Sequence, residues 1–202
     1  MRHELLYVAA GATCLGTSFA LGFATRSGRT APFDGSAERL LYGRGVSLAW
    51  FFTVSGYGRA LIVAYAATFA LAAALHRSLL ELGALALTQC VSQIAVPRFK
   101  LLFGRLRPPN WLIRRELDTS FPSGHSTTAA VTFAGLVLLI VRSSLPQEVK
   151  LGTALVPAVF ALGIGWSRIV LGAHYLSDVC GGYALGAAWL FTMVAILEAY
   201  GL

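Results

Sequence analysis

The chain has 202 residues, of which 56% are apolar and only 12% are charged, a composition outside the usual range for a soluble domain of this length. Its net charge of +7 would suit either nucleic acid or an anionic lipid. Nucleic-acid binders display basic faces on soluble elements, whereas the densest basic segment here, residues 98–115, lies between two apolar runs. We therefore expect a protein embedded in the bilayer, with an anionic group at the membrane surface as its partner and no nucleic acid.

Six apolar segments come close to the length of about 20 residues that a helix needs to cross the hydrocarbon layer. In chain order they are residues 5–24, 60–75, 82–96, 126–141, 151–166 and 179–197. Backbone amides in lipid must be hydrogen-bonded within the segment, so each segment is predicted to be a helix. The predicted fold class is therefore all-α, a polytopic membrane protein with a six-transmembrane-helix bundle, forming one domain over residues 1–202.

Two further features of the apolar regions predict how the helices are arranged. Residues 45–58 are too short to cross but rich in aromatic residues, so they are expected to lie at the membrane interface. These aromatic residues are Trp50, Phe51, Phe52 and Tyr57. The sixth segment begins with Gly181, Gly182 and Gly186, a spacing of small residues that favours close helix packing.

The first cluster of polar residues is basic and follows the third apolar segment. It contains Lys100 and the pair Arg107-Pro108. Lysine offers a point charge and arginine a planar fork of donors that matches phosphate oxygens. Taken alone, these residues could equally be the basic groups that flank many membrane spans.

The second cluster, Phe121-Pro122-Ser123-Gly124-His125, leads directly into the fourth apolar segment. Its amides would form a helix N-terminus, which attracts anions. Gly124 permits close approach to the backbone, the Ser123 hydroxyl adds a donor, and His125 can exchange a proton near neutral pH. The alternative is an ordinary capping serine, which the full Pro-Ser-Gly-His run disfavours.

The third cluster comprises Ser167-Arg168, His174 and Asp178, and it is expected to cross the loop between the fifth and sixth segments. On a helix, a spacing of four residues places His174 and Asp178 on one face. The carboxylate could then hold one ring nitrogen and leave the other free to attack. Because successive helices alternate in direction, all three clusters are predicted to face the same side of the membrane.

In order and spacing, Lys100-x6-Arg107-Pro108, Pro122-Ser123-Gly124-His125 and Ser167-Arg168-x5-His174-x3-Asp178 resemble the signature of the type 2 phosphatidic acid phosphatase superfamily. The short chain is similar to its bacterial branch, which contains phosphatidylglycerophosphatase B and undecaprenyl-diphosphate phosphatases. The resemblance implies a lipid phosphatase in which His174 forms a phosphohistidine, Asp178 orients it and His125 protonates the leaving oxygen. It implies that phosphate is bound by Lys100, Arg107, Ser123, Gly124 and Arg168, without a metal or other cofactor.

The implied substrate is a phosphomonoester or diphosphate of a membrane lipid: undecaprenyl diphosphate, phosphatidylglycerol phosphate or phosphatidic acid. The resemblance also implies a multi-pass protein of the bacterial inner membrane with its active site on the periplasmic or extracellular side, although the distribution of Lys and Arg between the loops does not support that orientation. Two alternatives remain at this point. They are a vanadium haloperoxidase, which the six spans disfavour, and a transporter or inactive lipid-binding protein, which His125, His174 and Asp178 disfavour.

Overall fold

The structure is a computed structural model that describes residues 2–74, 79–113 and 116–201. Over these residues the chain is built from α-helices and contains no β-strand. The helices are α1 (Arg2–Ala24), α2 (Asp34–Leu41), α3 (Val46–Ser55), α4 (Gly58–Ala74), α5 (Leu80–Phe103), α6 (Gly124–Ala129), α7 (Gly135–Arg142), α8 (Gln147–Val170) and α9 (Leu176–Ala199). A π-helical turn, Ala130–Ala134, joins α6 to α7, so these helices form one continuous span.

Five helical spans in the described part of the chain are long and apolar enough to cross a membrane, and a bent pair supplies a sixth if it is counted as one span. The five are Glu4–Ala24, Leu80–Phe103, Gly124–Arg142, Gln147–Val170 and Leu176–Ala199. The bent pair is Val46–Ser55 with Gly58–Ala73, which meet at 62°. The predicted all-α membrane bundle is therefore confirmed, and the predicted count of six spans is reached when the bent pair is counted as one span. The predicted end of the second span, at residue 75, lies outside the described residues.

The aromatic stretch predicted to lie at the interface forms helix α3 and the bend into α4. Phe52 is buried against α8, with its ring centroid 5.7 Å from that of Phe160 and 6.3 Å from that of Trp166. Trp50 and Phe51 are exposed on the outer side of the helix. The stretch is thus attached to the bundle along one face and forms the first arm of the bent pair.

The predicted close packing at the start of the sixth span is confirmed. A Cβ atom on Gly182 would lie 2.5 Å from the backbone oxygen of Ser123, and one on Gly186 would lie 2.4 Å from the Cβ of Ala130. A Cβ on Gly181 would lie 2.3 Å from the Phe121 ring. Only glycine allows α6 to approach α9 this closely. The approach brings the Ser-Gly-His segment against the first turns of α9.

Two ends of the bundle differ in chemistry. One end holds an apolar cluster from α5, α6–α7 and α9. Its buried members are Leu82, Leu85, Val131, Leu139, Leu190, Met193, Val194 and Leu197. The other end contains a set of buried charged side chains that includes Arg105, Arg168 and Asp178. Buried charges require partners, and the partners found there define the candidate site.

Candidate active site

Four helix termini meet at the polar end of the bundle. Lys100 lies in the last turn of α5 and Arg168 in the last turn of α8, while Ser123 caps the start of α6 and Asp178 lies in the first turn of α9. Helices α5 and α8 therefore end where α6 and α9 begin. This arrangement gathers the three sequence clusters at one end of the bundle.

The third cluster runs from the end of α8 across a short loop into α9, as predicted, but the predicted shared helix face of His174 and Asp178 is wrong. Helix α8 continues to Val170, so Ser167 and Arg168 lie on its last turn. His174 precedes α9, so it does not share a helix face with Asp178. The two residues are close because Asp178 folds back over the start of its own helix, where its Oδ2 accepts a hydrogen bond from the Tyr175 amide at 2.9 Å.

His174 is buried, with 3% of its surface exposed, and its two ring nitrogens have different surroundings. Nδ1 lies 3.6 Å from Oδ2 of Asp178, which is slightly beyond hydrogen-bonding distance, and 3.5 Å from the Ser120 hydroxyl. Nε2 lies 3.0 Å from Nη1 of Arg107. Nδ1 thus faces the carboxylate, and Nε2 faces the cationic groups.

Arg107 contacts two carboxylates that the sequence interpretation did not include, and one of them bridges it to Lys100. Asp118 accepts a hydrogen bond from Lys100 at 2.5 Å and another from Arg107. Glu116 accepts from Arg107 at 2.6 Å. Arg107 also donates from Nη1 to the backbone oxygen of Ala173 at 3.1 Å, which fixes the guanidinium beside the loop that carries His174.

Arg168 joins the same cluster through Glu116. Its Nη2 donates to Oε1 of Glu116 at 2.6 Å, and its Nη1 lies 3.5 Å from the Thr53 hydroxyl. Arg168 is completely buried, and its Nε has no hydrogen-bond partner among the described residues. Since arginine stays protonated even when buried, Arg168 places a permanent positive charge in the cluster.

The Ser-Gly-His segment begins helix α6, as predicted. Ser123 is the N-cap, and its Oγ accepts from the Ser126 amide at 3.4 Å and from the Ser126 hydroxyl at 3.0 Å, so its own proton remains available to a ligand. A Cβ on Gly124 would make only an ordinary contact, 3.6 Å from Val96. Protein packing therefore does not require glycine at position 124, and close approach of a ligand remains the prediction.

His125 is held between Tyr57 and Gly56. The centroid of its ring lies 5.2 Å from that of Tyr57, in an edge-to-face arrangement. A Cβ on Gly56 would lie 2.9 Å from Cδ2 of the His125 ring. Any larger residue at position 56 would therefore displace the ring. Nε2 of His125 is buried and has no hydrogen-bond partner within the described part of the protein.

The two histidines line the same cleft, whose volume is ≈ 670 Å³. The cleft is also lined by Lys100, Gly124 and the 116–119 segment. Its other flank is apolar and comes from Val96, Pro97 and Leu101 of α5 together with Tyr57. The cleft therefore combines a polar end, bearing both imidazoles and a cation, with an apolar flank on a membrane-spanning helix.

The charge balance of the site affects the protonation of the groups outside the spans. Burial, followed by the positive charges of Arg107, Arg168 and Lys100, lowers the pKa of His174 well below its usual value. Burial acts to raise the pKa of Asp118, but contacts with Lys100 and Arg107 hold it below its usual value. Near neutral pH, His174 is thus neutral and Asp118 ionised.

Sequence reasoning missed a second group of residues beneath His174 and Asp178. Arg105 donates to Oδ1 of Asp178 at 2.5 Å and to Oδ2 of Asp34 at 2.9 Å. The Ser120 hydroxyl donates to Oδ2 of Asp178 at 2.5 Å. The available signal was weak: Arg105 lies within the dense basic segment, and Asp34 is one of two acidic residues, with Glu38, between the first two apolar segments.

The carboxylates near the cleft are paired with cations and are not grouped as metal ligands would be. Over residues 2–74, 79–113 and 116–201, no group of three or more His, Cys, Asp or Glu side chains is placed to hold a metal ion. The carboxylates near the cleft, Glu116 and Asp118, are instead paired with Lys100, Arg107 and Arg168. The donor set around the cleft suits an anion.

The structure is a membrane helical bundle in which two histidines and Lys100 line one cleft, and Arg107 and Arg168 are joined to the same cluster through Glu116 and Asp118. These features define the class of membrane protein as one with an anion-type site at one end of a helical bundle. The model of the PAP2 superfamily matches residues 60–201. Because this match covers most of the chain, the protein belongs to the PAP2 superfamily.

Curated relatives share parts of the sequence. The chain is 36% identical over 89 residues to phosphatidylglycerophosphatase B of Bacillus subtilis (strain 168), covering 43% of each protein. It is 41% identical over 80 residues to lipid A 1-phosphatase of Rhizobium johnstonii, covering 40% of this chain and 28% of the relative. A decaprenylphosphoryl-5-phosphoribose phosphatase of Mycobacterium tuberculosis is 38% identical over 106 residues, covering 50% of this chain and 51% of the relative. The matches span about half or less of the relatives' own lengths.

Two solved structures share the fold. The transmembrane PAP2-type phosphatidylglycerolphosphate phosphatase from Bacillus subtilis superposes with a TM-score of 0.76 at 23% identity, covering 94% of this chain and 96% of that one. LpxE from Aquifex aeolicus superposes with a TM-score of 0.65 at 20% identity, covering 81% of this chain and 96% of that one. The helical arrangement is therefore that of transmembrane PAP2 proteins.

Proposed function

We propose that the protein is a lipid phosphatase that hydrolyses a phosphomonoester or diphosphate of a membrane lipid through a phosphohistidine on His174, without a metal ion. The substrate is undecaprenyl diphosphate, phosphatidylglycerol phosphate or phosphatidic acid, with the undecaprenyl lipid as first choice. The protein acts in the bacterial inner membrane, and its site faces the periplasmic or extracellular side.

The observation that carries this proposal is the position of His174 Nε2. It lies 3.0 Å from Arg107, in a cleft that it shares with His125 and Lys100. A neutral imidazole nitrogen beside a guanidinium is suited to attack a phosphorus atom whose oxygens the guanidinium holds. The apolar flank on α5 suits the lipid part of such a substrate, which is why a lipid phosphate is proposed rather than a soluble one.

The proposed reaction has two steps. In the first, Nε2 of His174 forms a bond to phosphorus, the P–O bond to the lipid breaks, and His125 gives its proton to the leaving oxygen. In the second, water attacks phosphorus, His125 takes a proton from that water, and the N–P bond breaks to release phosphate. The ionised Asp178 stabilises the positive charge that develops on the His174 ring.

The cations perform the electrostatic part of the reaction. Arg107, Arg168 and Lys100 stabilise the charge on the phosphoryl oxygens in the transition state. The Ser123 hydroxyl and the Gly124 amide add donors at the start of α6. In the protein without substrate, Glu116 and Asp118 form ion pairs with these cations. These ion pairs keep the arginines aligned before binding. The phosphate of the substrate then replaces carboxylate oxygens rather than water.

Purified protein in detergent, tested against the three lipids, provides the direct test. We expect release of inorganic phosphate from at least one lipid, undiminished by EDTA and inhibited by vanadate, which mimics five-coordinate phosphorus. Chelator-sensitive release would contradict the metal-free chemistry. Movement of labelled lipid across vesicles without phosphate release would instead support a transporter.

The lowered pKa of His174 predicts the pH dependence of the reaction. Only neutral His174 attacks, so kcat/KM falls as acid protonates this ring, and the low pKa places that fall below the usual histidine value of about 6.5. The negative charge of Asp118 raises the pKa of His174. Asp118→Asn should therefore lower the pKa of His174 and move the fall in kcat/KM to still lower pH. Profiles of kcat/KM against pH for both proteins measure this shift. A fall that stays at the same pH or moves to higher pH in the variant would contradict the assignment of this fall to His174.

A further inference from the structure

Arg105 is a completely buried arginine that does not line the cleft. Its guanidinium forks between two carboxylates, with Nη1 2.5 Å from Oδ1 of Asp178 and Nη2 2.9 Å from Oδ2 of Asp34. The Tyr175 ring covers the guanidinium at 4.3 Å from its centroid. Both nitrogens of the fork are thus directed at specific acceptors, and the side chain has little freedom to turn.

Asp34 connects this arginine to helix α9. It is the first residue of α2, and its Oδ1 accepts from the Ser177 amide at 2.8 Å. Its Oδ2 accepts from the Ser177 hydroxyl at 2.7 Å. Asp34 is only 1% exposed. One carboxylate therefore holds both Arg105 and the first turn of the helix that carries Asp178.

We propose that Asp34 and Arg105 are positioning residues for catalysis: the buried Asp34–Arg105–Asp178 chain of charges sets the orientation and ionisation of Asp178, and through it the reactivity of His174. This inference rests on the proposed function, since it assigns the two residues to the step in which His174 attacks phosphorus.

Orientation follows from the way the oxygens of Asp178 are divided. Arg105 takes Oδ1, so Oδ2 is left on the side of Nδ1 of His174, at 3.6 Å. Oδ2 is also held by the Ser120 hydroxyl and the Tyr175 amide. Without the guanidinium, the buried Oδ1 would lack its charged partner, and the carboxylate would turn or take up a proton to avoid an unpaired charge.

Ionisation of Asp178 matters because the ring of His174 becomes positively charged as the N–P bond forms. The three groups of the chain carry two negative charges and one positive charge, so one net negative charge faces the ring from behind. Asp34 supplies the negative charge that balances Arg105. Without Asp34, Asp178 alone would balance the positive charge of Arg105. The stabilisation of the charged His174 ring would then be weaker.

Asp34 and Arg105 are buried behind Asp178, so they are expected to affect turnover and not substrate binding. Asp34→Asn should lower kcat by about 10- to 100-fold, on the scale found for outer partners that orient metal-ligating side chains, and leave KM within about twofold. Arg105→Lys should act in the same direction, because one ammonium cannot fork between two carboxylates. Steady-state kinetics on one lipid phosphate in detergent separates kcat from KM.

A double variant distinguishes positioning from simple structural support. If Asp34 acts through Asp178, then adding Asp34→Asn to Asp178→Asn should change kcat by less than about twofold, whereas independent effects would multiply. The control is Ser18→Ala, which removes a buried hydrogen bond of 3.0 Å from α1 to the Gly181 oxygen of α9. This variant should lower the unfolding temperature and leave kcat unchanged.

Three results would overturn the inference: unchanged kcat in folded Asp34→Asn and Arg105→Lys, a raised KM with unchanged kcat, or multiplying effects in the double variant. Failure of both single variants to fold would also count against it, because that outcome assigns the pair to folding. Wild-type protein without phosphatase activity, or an active His174→Ala variant, would instead overturn the proposed function itself.

Discussion

Replacing His174 by alanine should lower phosphate release by about 10⁴-fold or more, the scale seen when a hydrolase loses its nucleophile. The His174 side chain supplies the only nitrogen in the proposed mechanism that forms a bond to phosphorus. The backbone amide of His174 still donates to the Arg168 oxygen, at 3.2 Å, so the loop should keep its path and the unfolding temperature should change little. The measurements are phosphate release and trapping of an acid-labile phosphohistidine from radiolabelled substrate.

The informative comparison is His125→Ala, because the two histidines have different proposed roles. An aryl phosphate with a good leaving group needs no proton from His125 in the first step, so the phosphoprotein should form in His125→Ala and not in His174→Ala. Because His125 also takes the proton from water in the second step, the phosphoprotein should then accumulate in His125→Ala. Trapped phosphoprotein should be present in His125→Ala with this substrate and absent in His174→Ala. Labelling that persists in His174→Ala would assign the nucleophile to another residue.

The helical architecture could be predicted from the sequence because its signals are local. Uncharged runs near the length of a bilayer crossing define spans, and glycines at positions 181, 182 and 186 indicate where two spans approach. The ends of the spans were less accurate. Helix α8 continues through Ser167 and Arg168 to Val170, since buried polar residues at the site continue the helix beyond its apolar run.

The positions of the motif residues could also be anticipated, because alternating helix directions place the three clusters at one end. Their partners could not. Asp34 contacts Ser177, which lies 143 positions away in the sequence, and Arg105, which lies 71 positions away. No local sequence pattern encodes such pairs. Glu116 and Asp118 are part of no sequence motif, and the structure pairs them with Lys100, Arg107 and Arg168. Buried charges select partners by geometry, which only the folded chain reveals.

Arg107→Lys should lower kcat/KM by about 10³-fold, within the range found for arginines that stabilise a transferring phosphoryl group. Arg107 donates simultaneously to Glu116, to the Asp118 backbone oxygen at 2.9 Å and to the Ala173 oxygen at 3.1 Å. It also lies beside His174 Nε2. A lysine keeps the charge but offers one donor centre on a flexible chain, so it cannot hold the loop and two phosphate oxygens together. Kinetics with a lipid phosphate and a vanadate titration measure the loss.

The matched control is Arg98→Lys, in the same basic segment of the sequence. Arg98 is exposed, and its one hydrogen bond to a described residue goes to the Ile94 oxygen of its own helix, so its replacement should leave kcat/KM and vanadate inhibition unchanged. Weaker vanadate binding in Arg107→Lys alone shows that the fork geometry of Arg107, and not overall positive charge, holds the five-coordinate phosphorus. Both replacements keep the positive charge, so equal losses in both variants would mean that the loss does not come from contact with phosphate at Arg107, and the assignment of Arg107 to the reacting phosphate would then be wrong.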